Sequence, residues 1–259
     1  MTPILEMREV HKNFGGVKAI DNFSCSLEQG KIHGLIGPNG AGKTTIFNNV
    51  TGIYQPTSGD ILFMGKKIAG VKPYAIAQAG IGRTFQNIRL FSNLSVLDNV
   101  IMANSMDAKY NMVEAVLRLP RYRRIEKSML EFSLSLLEAV GIVDLRDQTA
   151  KNLPYGHQRK LEIARALALR PKLLLLDEPS SGMNKDESRE LVDFVLKVKD
   201  DFDLTILLIE HHMDVVTNLC SNVTVLNFGK TIATGTPAEI KKNKAVIEAY
   251  LGGSHDAED

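Results

Sequence analysis

A glycine-rich stretch that ends in a lysine and two threonines has the residue types and spacing needed to bind a phosphate chain. Residues 37–45 read Gly-Pro-Asn-Gly-Ala-Gly-Lys-Thr-Thr, which matches the phosphate-binding pattern G-x-x-x-x-G-K-[ST]. Glycines leave room for successive backbone N–H groups to turn inward around a triphosphate. Residues 31–36 predict a buried strand before the loop, and residues 45–50 predict a helix after it. The N-terminus of that helix adds a positive dipole end aimed at the same anion.

This stretch predicts a nucleotide site rather than a glycine-rich turn that matches by chance, because strand, loop and helix follow in the required order. Lys43 is expected to reach the β- and γ-phosphates, and the Thr44 hydroxyl is expected to hold Mg²⁺. The residues predicted to bind the nucleotide here are Gly37, Pro38, Asn39, Gly40, Ala41, Gly42, Lys43, Thr44 and Thr45.

Two carboxylates at the end of an apolar run form a second candidate group. Residues 173–176 are all leucine, and a run that is apolar on both faces predicts a central parallel strand. Asp177 would lie at the carboxyl end of this strand, where open α/β sheets place ligands, and is expected to hold Mg²⁺ as well. Glu178 follows and is expected to polarise the attacking water. The alternative is a helix N-cap followed by a first-turn acid, since Pro179 favours a turn here.

Two more polar side chains close predicted strands. Gln86 ends the run that begins at Ile81, and His211 ends the run that begins at Thr205. Gln86 is expected to bond Mg²⁺ or the water from a movable loop, and His211 is expected to reach the γ-phosphate. A single histidine at a strand end is more often structural, so the functional interpretation depends on four strand ends meeting at one edge. His212 is expected on the outer face of the next helix.

Phe14 is the candidate for contact with the base of the nucleotide. It lies in the segment 12–16, which is predicted to be a loop between two short strands. Its ring could stack on an adenine, or it could close the edge of a sheet as a hydrophobic plug. The phosphate-binding loop downstream favours stacking.

The rest of the chain predicts an α/β fold with a helical insertion. Residues 4–27 alternate apolar and polar side chains, as in a half-solvated antiparallel sheet. Residues 87–152 instead show helical spacing and predict an inserted α-helical subdomain. The segments 1–86 and 153–259 then form a P-loop NTPase core, with a mixed sheet, flanking helices and an N-terminal antiparallel β subdomain. The basic run 118–124 predicts a solvated surface, with contact to a membrane or a partner as the weaker alternative.

Composition limits the function classes. The chain has 259 residues and a formal net charge of +1 with both signs interspersed, which gives no electrostatic case for nucleic acid. Cys25 and Cys220 have no metal or redox spacing and suggest a reducing compartment. The N-terminus has no signal-peptide pattern, and the apolar runs are too short to span a bilayer. These features predict a soluble cytoplasmic protein that reaches a membrane only through a partner.

Taken in order, these motifs resemble those of an ABC-transporter ATPase subunit. Residues 37–45 resemble its Walker A motif, Gln86 its Q-loop, residues 153–158 its signature and residues 173–178 its Walker B motif. The D-loop and switch histidine correspond to residues 180–184 and His211. The resemblance covers nearly the whole chain. It implies a head-to-tail pair of cassettes with two ATP molecules between them, driving two transmembrane permease subunits at the cytoplasmic face of the inner or plasma membrane.

Finer features resemble the longer ATPase cassette of branched-chain amino acid importers. They are the segment 83–96, the enlarged helical lobe with residues 120–124, and the C-terminal segment 235–252. The related urea and short-amide importer cassette shares much of this pattern and stays an alternative. A non-transport ABC ATPase that acts on the chromosome or the ribosome is disfavoured, because neither long heptad arms nor a tandem second cassette is present. Solute selection is expected to lie with the permeases and an extracytoplasmic solute-binding protein.

The signature segment departs from the common L-S-G-G-Q. Pro154 stands at the serine position and offers neither a hydroxyl nor an N–H group, although proline also suits a helix start. The resemblance implies that this segment binds the partner's nucleotide through Tyr155, Gly156, His157 and Gln158. We therefore expect an asymmetric heterodimer with a second ABC ATPase subunit, in which the site that uses Pro154 is weak. The D-loop also departs, since Asn184 stands where many cassettes carry aspartate.

Overall fold

The computed structural model describes residues 3–107 and 110–251 of the chain. Its strands, numbered in chain order, are β1 (Leu5–Phe14), β2 (Val17–Leu27), β3 (Ile32–Ile36), β4 (Ser58–Phe63), β5 (Lys66–Lys67), β6 (Ile81–Arg83), β7 (Leu173–Asp177), β8 (Thr205–Ile209), β9 (Asn222–Asn227) and β10 (Lys230–Gly235). Its α-helices are α1 (Lys43–Val50), α2 (Pro73–Ala79), α3 (Val96–Asn104), α4 (Met112–Val116), α5 (Pro120–Ala139), α6 (Tyr155–Leu167), α7 (Lys185–Asp201), α8 (Met213–Leu219), α9 (Pro237–Ile240) and α10 (Lys244–Leu251).

The first of two compact units contains the residues up to Gln86 and from Lys172 onward. It holds an antiparallel sheet in the order β2-β1-β4-β5 and a second sheet in the order β10-β9-β3-β8-β7-β6. In the second sheet the neighbours from β9 to β6 run parallel, and β10 pairs antiparallel with β9. The predicted fold class, a P-loop core with a mixed sheet and an antiparallel β subdomain, is confirmed.

The parallel strands explain where the polar motifs meet. Every residue of β3, β7 and β8 is buried, as expected for strands covered on both faces. Parallel neighbours end at one edge of a sheet, so the loops that follow β3, β8, β7 and β6 leave from the same edge. These are the loops that carry the phosphate-binding motif, His211, Glu178 and Gln86.

One hydrophobic core joins the two sheets of this unit. Phe23 and Ile61 come from the antiparallel sheet, and Leu35 and Leu207 come from the parallel sheet. Phe47, on α1, belongs to the same buried cluster. The helix that follows the phosphate-binding loop is therefore fixed by apolar packing as well as by its backbone hydrogen bonds.

Three predicted strand and loop boundaries in this unit differ from the structure. The predicted loop 12–16 is a hairpin, because β1 continues to Phe14 and pairs with β2 up to Phe14↔Val17. The strand before Gln86 ends at Arg83, and the strand before His211 ends at Ile209. Both polar residues therefore stand in the loops after these strands, where no ladder of hydrogen bonds fixes the backbone.

The second unit comprises residues 87–171 and is helical. Its core includes Val96 and Val100 of α3, Leu136 of α5 and Leu161 of α6, all fully buried. The sequence predicts that the insertion ends at residue 152, whereas the compact helical unit in the structure extends to Pro171. The difference arises because α6 packs against α3 and α5 and so belongs to the helical unit.

Candidate functional site

The phosphate-binding loop is shaped by close backbone approaches. Gly37 has a φ of +149° and Gly42 a φ of +106°, which are conformations that favour glycine. A Cβ atom on Gly37 would lie 2.1 Å from the carbonyl oxygen of Leu226, and one on Gly42 would lie 2.7 Å from that of Ala19. The protein's own backbone therefore requires glycine at these two positions, in addition to any approach by a ligand.

Lys43 starts α1 and points back into the loop. Its Nζ donates hydrogen bonds to the carbonyl oxygens of Gly37 at 2.6 Å and Pro38 at 3.0 Å. Burial lowers the pKa of Lys43, while the carboxylates of Glu178 and Asp177 act in the opposite direction. The first turn of α1 contains no acidic residue, and its N–H groups lack partners within the helix. The loop thus presents cationic and N–H groups together, which fits the phosphates of a nucleotide.

Asp177 ends β7 and is held by a buried ion pair. The Arg83 Nη2 atom lies 2.9 Å from Asp177 Oδ2, and the two side chains are 8% and 5% exposed. Arg83 Nη1 also donates to Asn48 Oδ1 at 2.7 Å, which links the carboxylate to α1. The sequence interpretation placed Arg83 only within a family-like segment and missed this role. The available signal was an arginine on a strand predicted to end at the same edge as Asp177.

Glu178 lies between the two other predicted catalytic side chains. Gln86 Nε2 donates to Glu178 Oε2 at 2.8 Å, and His211 Nδ1 lies 3.9 Å from the same oxygen. The Glu178 backbone has a φ of +46°, an uncommon conformation for a residue other than glycine. Its N–H donates to the carbonyl oxygen of Ile209 at 2.9 Å. The structure therefore brings Gln86, Glu178 and His211 together, as the convergence of strand ends predicts.

A second carboxylate organises the backbone beside His211. Glu210 is fully buried, and its Oε1 accepts hydrogen bonds from the backbone N–H and the hydroxyl of Ser180 at 2.9 and 2.5 Å. Its Oε2 accepts from the N–H groups of His211 at 3.0 Å and His212 at 3.3 Å. Since Ser180 stands two residues after Glu178, this carboxylate ties the two loops together. The sequence interpretation did not identify it.

The predicted position of His212 was wrong. It is the residue that caps α8 at its N-terminus rather than one on the outer face of that helix. Its Nδ1 lies 2.8 Å from the Ser180 hydroxyl, and the side chain keeps about half of its surface exposed. The placement follows from the hydrogen bond between its backbone and Glu210, which holds the residue outside the helix.

Phe14 stands at the end of β1 with its ring accessible. The ring makes an edge contact with Tyr54, at 5.0 Å between centroids. Lys12 Nζ lies 4.8 Å from the Phe14 centroid and 5.6 Å from that of Tyr54. Phe14 thus forms an exposed aromatic pair with Tyr54, and the Lys12 ammonium group lies near both rings. Its ring is not buried at the edge of the sheet, as the alternative interpretation would require. Tyr54 was not singled out from the sequence, because it lies in a turn-rich connector without periodicity.

The signature-like segment opens α6 within the helical unit. Pro154 has extended dihedral angles and is the N-cap residue, not the first helical residue. Gln158 Nε2 donates to the carbonyl oxygen of Leu153 at 2.8 Å, and Arg159 donates to the Tyr155 hydroxyl at 2.9 Å. Pro154, Tyr155 and Gly156 are exposed, and a Cβ on Gly156 would meet no atom within 4 Å. The start of this helix is therefore open to an incoming group.

The described residues contain no cluster of three or more histidine, cysteine or acidic side chains that would hold a metal unaided. A divalent ion here would depend on the Asp177 carboxylate, the Thr44 hydroxyl and oxygens supplied by phosphates. This is the donor set typical of magnesium at nucleotide sites. No helix within residues 3–107 and 110–251 has both the length and the apolarity to cross a membrane.

The parallel sheet, the phosphate-binding loop and the residues around Glu178 define a nucleotide-hydrolysing cassette. The family model described as ABC transporter matches residues 20–181, and the chain belongs to this family of ATPases. A second model, described as Branched-chain amino acid ATP-binding cassette transporter, matches residues 230–256.

Individual relatives narrow the family further. The chain is 40% identical to the high-affinity branched-chain amino acid transport ATP-binding protein BraF of Pseudomonas aeruginosa, over 96% of this chain and 98% of that protein. It is equally 40% identical, with the same coverage, to the corresponding protein LivG of Escherichia coli K12.

Solved structures agree with this assignment. The ADP conformation of MJ1267, an ATP-binding cassette of an ABC transporter, aligns with a TM-score of 0.85 at 30% identity, covering 97% of this chain and 100% of that one. The cassette cbiO1 of Clostridium perfringens, part of the transporter complex cbiONQ, aligns with a TM-score of 0.81 at 27% identity, covering 98% and 96%. The predicted family is therefore confirmed.

Proposed function

We propose that this chain is the ATP-hydrolysing subunit that energises an importer of branched-chain amino acids. The observation that carries the hydrolytic part is the meeting of Gln86 and His211 at the Glu178 carboxylate, beside the phosphate-binding loop. The solute class is supported by the 40% identity to BraF and LivG over 96% of the chain. The family match at residues 230–256 supports the same class.

Each residue at the sheet edge has a separate task in this proposal. Lys43 leaves its carbonyl partners and pairs with the β- and γ-phosphates, where it offsets their negative charge. Glu178 accepts a hydrogen bond from the attacking water, which it polarises toward the γ-phosphate. Gln86 and His211 fix that carboxylate and contact the water and the γ-phosphate. Phe14 stacks on the adenine.

Magnesium completes the site in this proposal. Thr44, Asp177 and Gln86 are the residues that would hold it, because they offer a hydroxyl, a carboxylate and an amide oxygen at one sheet edge. A bound magnesium ion neutralises charge on the β- and γ-phosphates. The ion pair with Arg83 at 2.9 Å holds the Asp177 carboxylate in place at this edge.

The exposed start of α6 supports a second cassette as a partner. The ATP of a second cassette binds against Tyr155, Gly156, His157 and Gln158. The signature of that second cassette in turn faces the ATP held by Lys43. Because Pro154 has no hydroxyl, we expect a partner cassette with a serine signature and hence a heterodimer. Two permease subunits bind this pair at the cytoplasmic face of the inner or plasma membrane. A solute-binding protein outside the membrane acts through the permeases, and no nucleic acid takes part.

Transport by the assembled complex tests the proposal. The chain is reconstituted in proteoliposomes with its permeases, its second cassette and the binding protein, and ATP hydrolysis and uptake of labelled leucine, isoleucine and valine are measured. We expect uptake that requires ATP and is lost in Lys43→Ala and Glu178→Gln. Uptake of urea or acetamide without any uptake of leucine would overturn the solute assignment, and full uptake with Lys43→Ala would overturn the energising role.

A further inference from the structure

The helical unit exposes a concentrated apolar surface on α4. Met112, Val113, Val116 and Leu117 are 83, 62, 72 and 63% exposed. Apolar side chains that lie singly on a surface need no explanation, but a contiguous group of this kind marks an interaction site. We call the segment from Tyr110 to Arg124 the α4–α5 hairpin.

Specific contacts hold the α4–α5 hairpin in place. The rings of Tyr110 and Tyr122 pack edge to face with centroids 4.9 Å apart, and the Tyr110 hydroxyl donates to Glu126 at 3.0 Å. Arg121 pairs with Glu114 at 3.1 Å. Glu114 also completes a capping box with Asn111 at the start of α4. The apolar side chains therefore point outward from an anchored element and not from an unpacked tail.

Positive charge follows directly after this apolar surface in the chain. Arg118, Arg121, Arg123 and Arg124 lie within seven residues and are all exposed, although the whole chain carries a net charge of only +1. The nearby acids already have partners, since Glu114 pairs with Arg121 and Glu131 with Lys127. In the part of the chain that the structure describes, no acidic side chain pairs with Arg118, Arg123 or Arg124.

We propose that the α4–α5 hairpin binds the surface of an anionic phospholipid bilayer. A guanidinium group can donate two parallel hydrogen bonds to the oxygens of one phosphate. Burial of exposed valine, leucine and methionine side chains at the boundary between headgroups and acyl chains is favourable. An apolar surface next to Arg118, Arg123 and Arg124, which have no acidic partner among the described residues, matches a negatively charged lipid surface more closely than a protein surface of mixed charge. This contact is independent of the transported solute and of the catalytic residues.

Flotation with vesicles tests the electrostatic part. The full chain is mixed with vesicles of phosphatidylcholine alone or with about 30% phosphatidylglycerol, which gives the surface a negative potential. We expect binding only to the anionic vesicles, weakened by salt. The variant Arg123→Gln with Arg124→Gln should partition about 30-fold more weakly, from roughly a fivefold loss per arginine. The matched control, Lys241→Gln with Lys242→Gln, removes the same charge from exposed positions elsewhere and should bind normally.

The apolar part has its own test. Val113→Ser with Val116→Ser should lower binding at least about tenfold, whereas Met64→Ser, at an exposed apolar side chain in the turn between β4 and β5, should leave it unchanged. All these positions are exposed, so the thermal midpoints and the basal ATPase rate should stay at the wild-type values. Equal losses in the control variants, no binding to anionic vesicles, or binding only when the permeases are present would overturn the proposal.

Discussion

Arg83 and Asp177 form an ion pair at 2.9 Å that is nearly closed to solvent. Removing the cation leaves a buried carboxylate without compensation, so Arg83→Met should lower the free energy of unfolding by about 3–5 kcal/mol. Urea denaturation measures the loss. The control is Arg8→Met, which breaks the exposed Arg8–Glu6 pair at 2.7 Å and should change stability little. Equal losses in both variants would show that burial of the Arg83 pair has no special effect.

The sequence predicted which polar residues meet at one edge of the sheet, but it did not predict the contacts that hold them in place. The apolar runs of β7 and β8 imply buried parallel strands, and parallel strands must deliver Glu178 and His211 to one edge. The Arg83–Asp177 pair depends in addition on the register of β6 against β7, in which Arg83 lies opposite Leu175. Register between strands far apart in the chain is set by tertiary packing and has no local signal.

The missed residues share a second physical reason. Glu210 acts by accepting hydrogen bonds from the backbone of loops, and Tyr54 acts by an edge contact with Phe14. Such contacts depend on loop conformations, which periodicity does not encode. The predicted and observed ends of the helical unit differ for a similar reason. The apolar spacing of α6 shows that one face of the helix is buried, but it does not show which unit covers that face.

Glu178→Gln should abolish hydrolysis while it preserves nucleotide binding. The amide keeps the shape of the side chain and a hydrogen bond to Gln86, but it no longer polarises water, so turnover should fall about 10²–10⁴-fold. Light scattering with Mg-free ATP then reports assembly. We expect this variant to stay monomeric alone and to pair when a second cassette with a serine signature is added. A stable ATP-dependent homodimer would contradict the asymmetric pair.

In the proposed heterodimer, Pro154→Ser should activate the site that we expect to be weak. The serine restores a donor to the partner's γ-phosphate, and a hydrogen bond to a charged group contributes about 1.5–3 kcal/mol, or roughly 10- to 150-fold in rate. To isolate this site, Glu178→Gln first silences the other one, and the residual ATP turnover of the complete complex is measured. Pro120→Ser, at the start of α5, is the control and should have no effect. Unchanged turnover with Pro154→Ser would remove the basis for asymmetry.

Phe14→Ala should weaken ATP binding without changing turnover at saturation. Loss of ring stacking costs about 0.5–1.5 kcal/mol beyond the lost area, which corresponds to roughly a 2- to 12-fold rise in Kd. Equilibrium titration with a fluorescent ATP analogue measures this rise. Phe14→Trp should keep wild-type affinity, and Tyr74→Ala, at an exposed aromatic on α2, should do the same. An unchanged Kd in Phe14→Ala would show that the ring contacts Tyr54 but does not stack on the adenine.

His33 should make folding stability depend on pH below neutrality. Burial lowers the pKa of His33 from 6.5 to about 4, and its Nε2 lies 2.9 Å from the Thr224 hydroxyl. In the unfolded chain His33 therefore becomes protonated below pH 6.5, whereas in the folded chain it becomes protonated only near pH 4. The free energy of unfolding consequently falls as the pH drops through this window, by about 3 kcal/mol from this group. Denaturation of wild type and His33→Gln at pH 7 and pH 4.5 isolates the contribution, because the carboxylates contribute equally to both proteins. The variant should lose less stability between these two pH values, and equal losses would show that His33 titrates alike in both states.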